Sequence, residues 1–130
     1  MAKTPVDTKQ QIAMLMPERE LSQTVFEMAT TLGWKCYRTW LSLHSAAGFP
    51  DLVAVHPGQK RVLYSEFKRE GAKPRANQQA WLDALREAGQ EVYLWRPSDL
   101  LNGTIEAVLR ADCTTGAFAF QDATTSTMDG

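Results

Sequence analysis

Three charged residues stand at the ends of two neighbouring hydrophobic runs: Asp51 opens DLVAV, and Glu66 and Lys68 close RVLYSEFK. Charges of both signs at the ends of buried strands are costly, which points to a chemical use. Side chains two apart on a strand point the same way, so Glu66 and Lys68 share a face. The turn HPGQK between the runs, with Pro57-Gly58 at its centre, is short enough for an antiparallel hairpin. In such a hairpin the start of the first run lies opposite the end of the second, and Asp51 sits beside Glu66. Two carboxylates that close repel, and one takes up a proton unless a cation stands between them. Oxygen ligands at short range suit a hard cation, Mg²⁺ or Mn²⁺, which keeps several waters. Lys68 would then orient or deprotonate one of those waters, or hold a phosphate. The plainer alternative is an ion pair of Glu66 with Lys68 at a strand edge, with Asp51 capping a turn after Pro50. A D…ExK pattern taken alone is short and favours that plainer reading.

Two further residues bear on that choice. Gln78 heads an inward stripe of Gln78, Trp81, Leu82, Leu85 and Ala88 at helical spacing. A glutamine there needs a polar partner inside, which a site at the strand ends would supply; otherwise it is a solvated first-turn residue. Glu20 stands at the shoulder of the apolar face of an earlier helix, within reach of a sheet-borne metal. Its alternative is an exposed first-turn glutamate favoured by the helix dipole, and Glu18 is easily mistaken for it.

The elements that must position these groups follow from periodicity. Glu18 to Leu32 reads as an amphipathic helix with Leu21, Val25, Met28, Ala29 and Leu32 on one face and Gly33 as its stop. Trp34–Trp40, Asp51–Val55 and Arg61–Lys68 read as strands. Arg75 to Ala88 is a second helix closed by Gly89, and Glu91–Arg96 a fourth strand stopped by Pro97. Ser98 to Arg110 is one or two short helical pieces broken at Asn102-Gly103. The order predicts an α/β domain over residues 18–111 with a mixed sheet flanked by helices. The helix between the third and fourth strands is the connection a parallel pair requires. Residues 1–17 read as an N-terminal arm with a short helix at Gln10–Met16, and residues 112–130 as a flexible tail without Lys or Arg.

Composition limits the partners. At 130 residues and a net charge of −1 the chain fits one domain with no global basic field, so any nucleic-acid surface is local. Cys36 and Cys113 match no zinc spacing and suggest a reducing cytoplasm. The N-terminus lacks the apolar core of a secretion signal, and no run is long enough to span a membrane. Between Lys60 and Arg75 stand six basic residues, Arg61 among them, against two acids. Arg69, Lys73 and Arg75 are the candidates for phosphate contacts. His44 and Ser45, in the loop before Gly48, are within reach of the phosphate or of the metal's waters, and Trp40 at the loop edge could stack on an unpaired base. For each of these an ordinary surface or structural role is the alternative.

The segments ERELSQTVFEMATTLGW, GFPDLVAV, YSEFK and NQQAWLDALREAGQEVYLWRPSD, in this order across about residues 18–99, resemble the PD-(D/E)XK nuclease superfamily and, within it, the VRR-NUC group of virus-type replication and repair nucleases. That resemblance implies a restriction-endonuclease-like αβββαβ core. It makes Asp51 and Glu66 the metal-binding carboxylates, the Phe67 backbone carbonyl a further ligand, Lys68 the catalytic lysine, Glu20 the helix acid and metal ligand, and Gln78 a site-orienting residue. It implies a Mg²⁺- or Mn²⁺-dependent DNA endonuclease, structure-selective on branched DNA such as Holliday junctions or flaps. A homodimer in phage-type replication, repair or DNA processing, in a bacterial or phage-infected cytoplasm, is the setting it suggests. The alternatives are a nicking or restriction-type nuclease, or a non-catalytic DNA- or partner-binding module on the nuclease fold. Nothing resembles a dedicated base-reading element, and the intact Asp51, Glu66 and Lys68 set argues against a pure binding module.

Overall fold

The structure, a computed structural model, describes residues 8–39 and 47–111. Helix α1 (Thr8–Leu15) precedes Pro17, which caps helix α2 (Glu18–Thr31). The missing proline N–H is harmless there, and Glu18 and Glu20 in the first turn suit the positive end of the helix dipole. Leu21, Val25 and Ala29 are fully buried, with Met28 and Leu32 packed beside them. Gly33 ends the segment at φ 99°, and a Cβ at that position would meet His56 Nε2 at 2.9 Å. His56 in turn accepts from the Gln59 N–H through Nδ1 at 3.1 Å, and its Nε2 lies 3.2 Å from the Leu32 carbonyl. Both contacts are met at once when Nε2 carries the proton. The end of α2 is thereby tied to the hairpin turn.

Four strands follow the expected plan: β1 (Lys35–Arg38), β2 (Leu52–His56), β3 (Arg61–Phe67) and β4 (Glu91–Trp95), in the spatial order β1-β2-β3-β4. The first two pairings are antiparallel, and β3 runs parallel to β4. Helix α3 (Ala76–Glu87) makes the crossover, which a parallel pair needs because its ends lie at opposite edges. The β2–β3 turn is a short 3₁₀ piece, Pro57–Gln59, with Lys60 left-handed at φ 58°. Asp51 lies just before β2 and Lys68 just after β3, each one residue outside the strand that the sequence places it in.

Alternation along the strands divides the sheet into two faces. On one face Leu52, Ala54, Leu63, Phe67, Tyr93 and Trp95 pack with α2 and with Ile105, Val108 and Leu109 of α5 (Thr104–Arg110). The opposite face carries Glu66 and is closed by α3, which buries Gln78 and Leu82; Ala88 is exposed beyond the end of that stripe. Helix α4 (Pro97–Leu101) receives α1, and Met16 joins the main core.

Arg61, counted with the basic residues between Lys60 and Arg75, lies inside the protein and not on that surface. It is 5% exposed and forms a buried ion pair with Glu91, which Tyr93 also holds through its hydroxyl at 2.7 Å. The guanidinium lies over the Trp34 ring and donates to the Ala111 carbonyl, while Trp34 Nε1 and Gln59 donate to the Leu109 carbonyl. A buried charge must be paired, and the strand neighbour β4 supplies the carboxylate. This network locks α5 onto the sheet at the end of β3 opposite Glu66. No helix among the described residues is long and apolar enough to cross a membrane.

Candidate active site

The segment GFPD presents Asp51 through four separate restraints. Gly48 has φ 86°, and a Cβ there would meet the Asn77 carbonyl oxygen at 2.6 Å, so only glycine lets this loop press on the start of α3. Phe49 packs edge-on to Trp81 at 4.9 Å and to Tyr64 at 6.3 Å. The carbonyl of buried Pro50 accepts from Thr39 Oγ1 at 2.7 Å, and the Asp51 carbonyl accepts from the Thr39 N–H at 2.9 Å. The Asp51 carboxylate then accepts the Phe67 N–H through Oδ2 at 3.0 Å. Here a side chain takes the ladder position that the backbone of β2 has left.

Glu66 is 1% exposed. Its Oε2 accepts from the Gln78 side-chain amide at 2.7 Å, while Oε1 is buried without a hydrogen-bond partner among the described residues. Gln78 Oε1 accepts the Arg75 N–H at 2.7 Å, so one side chain both caps α3 and grips the strand carboxylate. That is the polar partner an inward glutamine requires. Lys68 is 7% exposed, and its N–H donates to the Trp95 carbonyl at 3.0 Å, extending the β3–β4 ladder past the last strand residue.

The electrostatics record the crowding. Burial, and then the Asp51 charge, push Glu66 from the ordinary 4.5 up to about 8, against the opposing pull of Lys68. Asp51 is also raised, first by burial; the Phe67 N–H pulls it back, Glu18 pushes it up and Lys68 lowers it. An acid pair with an unpartnered buried oxygen is suited to a cation. The Phe67 carbonyl faces the same edge as Asp51, since the N–H and C=O of one strand residue point the same way and the Phe67 N–H donates to Asp51. Among the described residues no three His, Cys, Asp or Glu side chains form a metal cluster. Asp51 and Glu66 are the two acidic oxygen donors that the strand ends bring together, and carboxylate oxygens are ligands that hard cations accept. A cavity of about 270 Å³, lined by Glu18, Arg19, Ser22, Asp51 and Phe67, opens between the start of α2 and the ends of the strands.

The family model of the VRR-NUC domain matches residues 5–99. The chain belongs to the VRR-NUC family. A solved structure described as a VRR-NUC domain superposes with a TM-score of 0.58 at 24% identity, covering 68% of this chain and 94% of that one, and it shares the fold. No curated protein matches the sequence. The mixed four-stranded sheet with its flanking helices is thus a nuclease-type α/β fold.

In this VRR-NUC domain Asp51, Glu66, Lys68 and Gln78 come together at one end of the sheet. Glu20 does not join them. It is exposed on α2, and the glutamate whose charge acts on both acids is Glu18. Two residues amount to about 200° around a helix, so the two glutamates face nearly opposite ways. Arg69, Lys73 and Arg75 are exposed beside the site, and the Arg75 charge lowers Glu66. Their loop is pinned to the body: Arg96 donates to the Ala72 carbonyl at 2.6 and 3.1 Å, and Glu70 accepts the Ser98 N–H at 3.0 Å at the start of α4. Glu70 is turned to that cap, which leaves the outer side of the loop to its cations. No local pattern links Glu70 to a residue 28 positions on. Ser22, one helical turn after Glu18, carries no sequence signal of its place in the cavity lining. His44, Ser45 and Trp40 lie outside the described residues.

Proposed function

We propose that this VRR-NUC domain is a Mg²⁺- or Mn²⁺-dependent endonuclease that hydrolyses DNA phosphodiester bonds, selective for branched or flapped duplexes in replication, repair or phage-type DNA processing. The observation that carries this reading is the Asp51–Glu66 pair, with one Glu66 oxygen buried and unpartnered and its pKa raised to about 8. A structural ion pair would leave neither feature. Asp51, Glu66 and the Phe67 carbonyl would hold the cation, with Glu18 near enough to act on its waters. When bound, the cation lowers the pKa of a water and offsets charge on the phosphorus.

The chain's own groups do the rest. Gln78 keeps the Glu66 carboxylate in one orientation through its bond to Oε2. Lys68, on the same face as Glu66, holds the attacking water or a phosphate oxygen in line. Arg69, Lys73 and Arg75 seat the DNA backbone without reading bases, which suits recognition by shape. Attack by water with departure of the 3′ oxygen leaves a 5′-phosphate end. One site cuts one strand, so paired cuts across a junction call for a second copy of the chain.

The test is cleavage of four-way, flap and linear duplex DNA with Mg²⁺, Mn²⁺ or EDTA. Cutting is expected only with metal, preferentially on branched substrates, and absent in Asp51→Ala and Lys68→Ala. Wild-type rates in either variant would reject the assignment, and binding without cleavage under every metal would favour a non-catalytic module.

A further inference from the structure

Ser22 lies in the second turn of α2, four residues after Glu18, and both line the cavity that Asp51 and Phe67 close from the other side. Residues four apart on a helix are neighbours on one face. Ser22 is 6% exposed, and its Oγ is buried without a hydrogen-bond partner among the described residues. A serine inside a helix commonly satisfies its hydroxyl on the carbonyl four residues back; this one does not. A buried hydroxyl left without a partner is destabilising, so its place at this wall calls for a use. The opposite wall carries Phe67 and Asp51, whose carboxylate is an acceptor, and Glu18 and Arg19 line the helix side with Ser22. A donor facing an acceptor across a cavity with room for several waters is the arrangement that fixes a water's orientation.

We infer that Ser22 is a positioning residue: its hydroxyl donates to a water in this cavity that is shared with Glu18 and with the cation at Asp51. The inference rests on the metal-dependent reading of the site. Loss of the hydroxyl should loosen that water and the cation with it, while leaving the DNA-contacting loop untouched.

The experiment compares wild type with Ser22→Ala in three measurements. Metal-free thermal melting of Ser22→Ala should match or exceed wild type, because no bond within the protein is lost. Calorimetric titration with MnCl₂ should show about tenfold weaker binding, the usual scale for an outer hydrogen bond to a metal site. Single-turnover cleavage should slow by a similar factor with KM for DNA unchanged. A metal-free melting point below wild type would make the hydroxyl structural and overturn the inference. Mn²⁺ affinity within twofold of wild type would overturn it too, whatever the rate. If wild type itself neither binds Mn²⁺ nor cuts DNA, the proposed function falls and takes this inference with it, an outcome distinct from a failure of the variant alone.

Discussion

Gln78 donates its side-chain amide to Glu66 Oε2 at 2.7 Å, while its other end accepts the Arg75 N–H that opens helix α3. The orientation of a strand carboxylate is thereby set by the first turn of a helix, and that turn begins at one of the exposed cations beside the site.

Gln78→Ala breaks both bonds. We expect kcat to fall about 10- to 100-fold, the range for losing a partner that orients a ligand. Loss of the cap should lower stability by about 1 kcal/mol. Steady-state kinetics and urea unfolding separate the two effects, and a wild-type kcat in this variant would show that Glu66 needs no help from α3.

The metal-free protein should lose stability as pH rises. Glu66 has its folded pKa raised from 4.5 to about 8, so the folded state holds a proton that the unfolded chain has released over that interval. Its contribution is fully present below about pH 4.5 and is lost by about pH 8. For a domain of this size each kcal/mol lost lowers Tm by about 4–8 °C. Added Mg²⁺ or Mn²⁺ should flatten the trend and release protons on binding, with affinity rising toward pH 8. Melting curves across pH, with EDTA and with Mn²⁺, check the sign.

Arg69, Lys73 and Arg75 are exposed on a loop held at Ala72 and Glu70. Replacing each with Gln should weaken DNA binding evenly across sequences and reduce the slope of log K against log salt by about one. Cleavage at saturating DNA should change little for Arg69→Gln and Lys73→Gln. Fluorescence anisotropy at several salt concentrations is the measurement, and an unaltered slope would remove these residues from the interface.

Arg61→Met leaves Glu91 buried without its cation and should cost about 3–5 kcal/mol. Because the pair sits at the far end of β3 from Glu66, activity per folded molecule should hold. Urea unfolding with active-site titration checks both, and the Arg61→Met, Glu91→Leu double variant should recover part of the loss.

Much of this arrangement was legible in the chain. Side chains alternate with period two along a strand, and the HPGQK turn is short, so the register that sets Asp51 beside Glu66 follows from sequence distance alone. The helix between β3 and β4 forces their parallel pairing, and the inward stripe of α3 carries Gln78 to a polar partner. These are local rules acting over a few residues.

Contacts that join distant segments had no such trace. Which of two glutamates on the first turn of α2 faces the acids depends on how the helix rolls against the sheet, a choice made by packing that favours Glu18 over Glu20. Arg61 and Arg69 look alike in a charge count, yet one is drawn inside by a carboxylate 30 residues on while the other stays in water. Ser22 reads as an ordinary helix serine until the strand ends close a cavity over it. Periodicity fixes the direction of a side chain relative to its own element, whereas its burial and its partners are set only when elements separated along the chain meet.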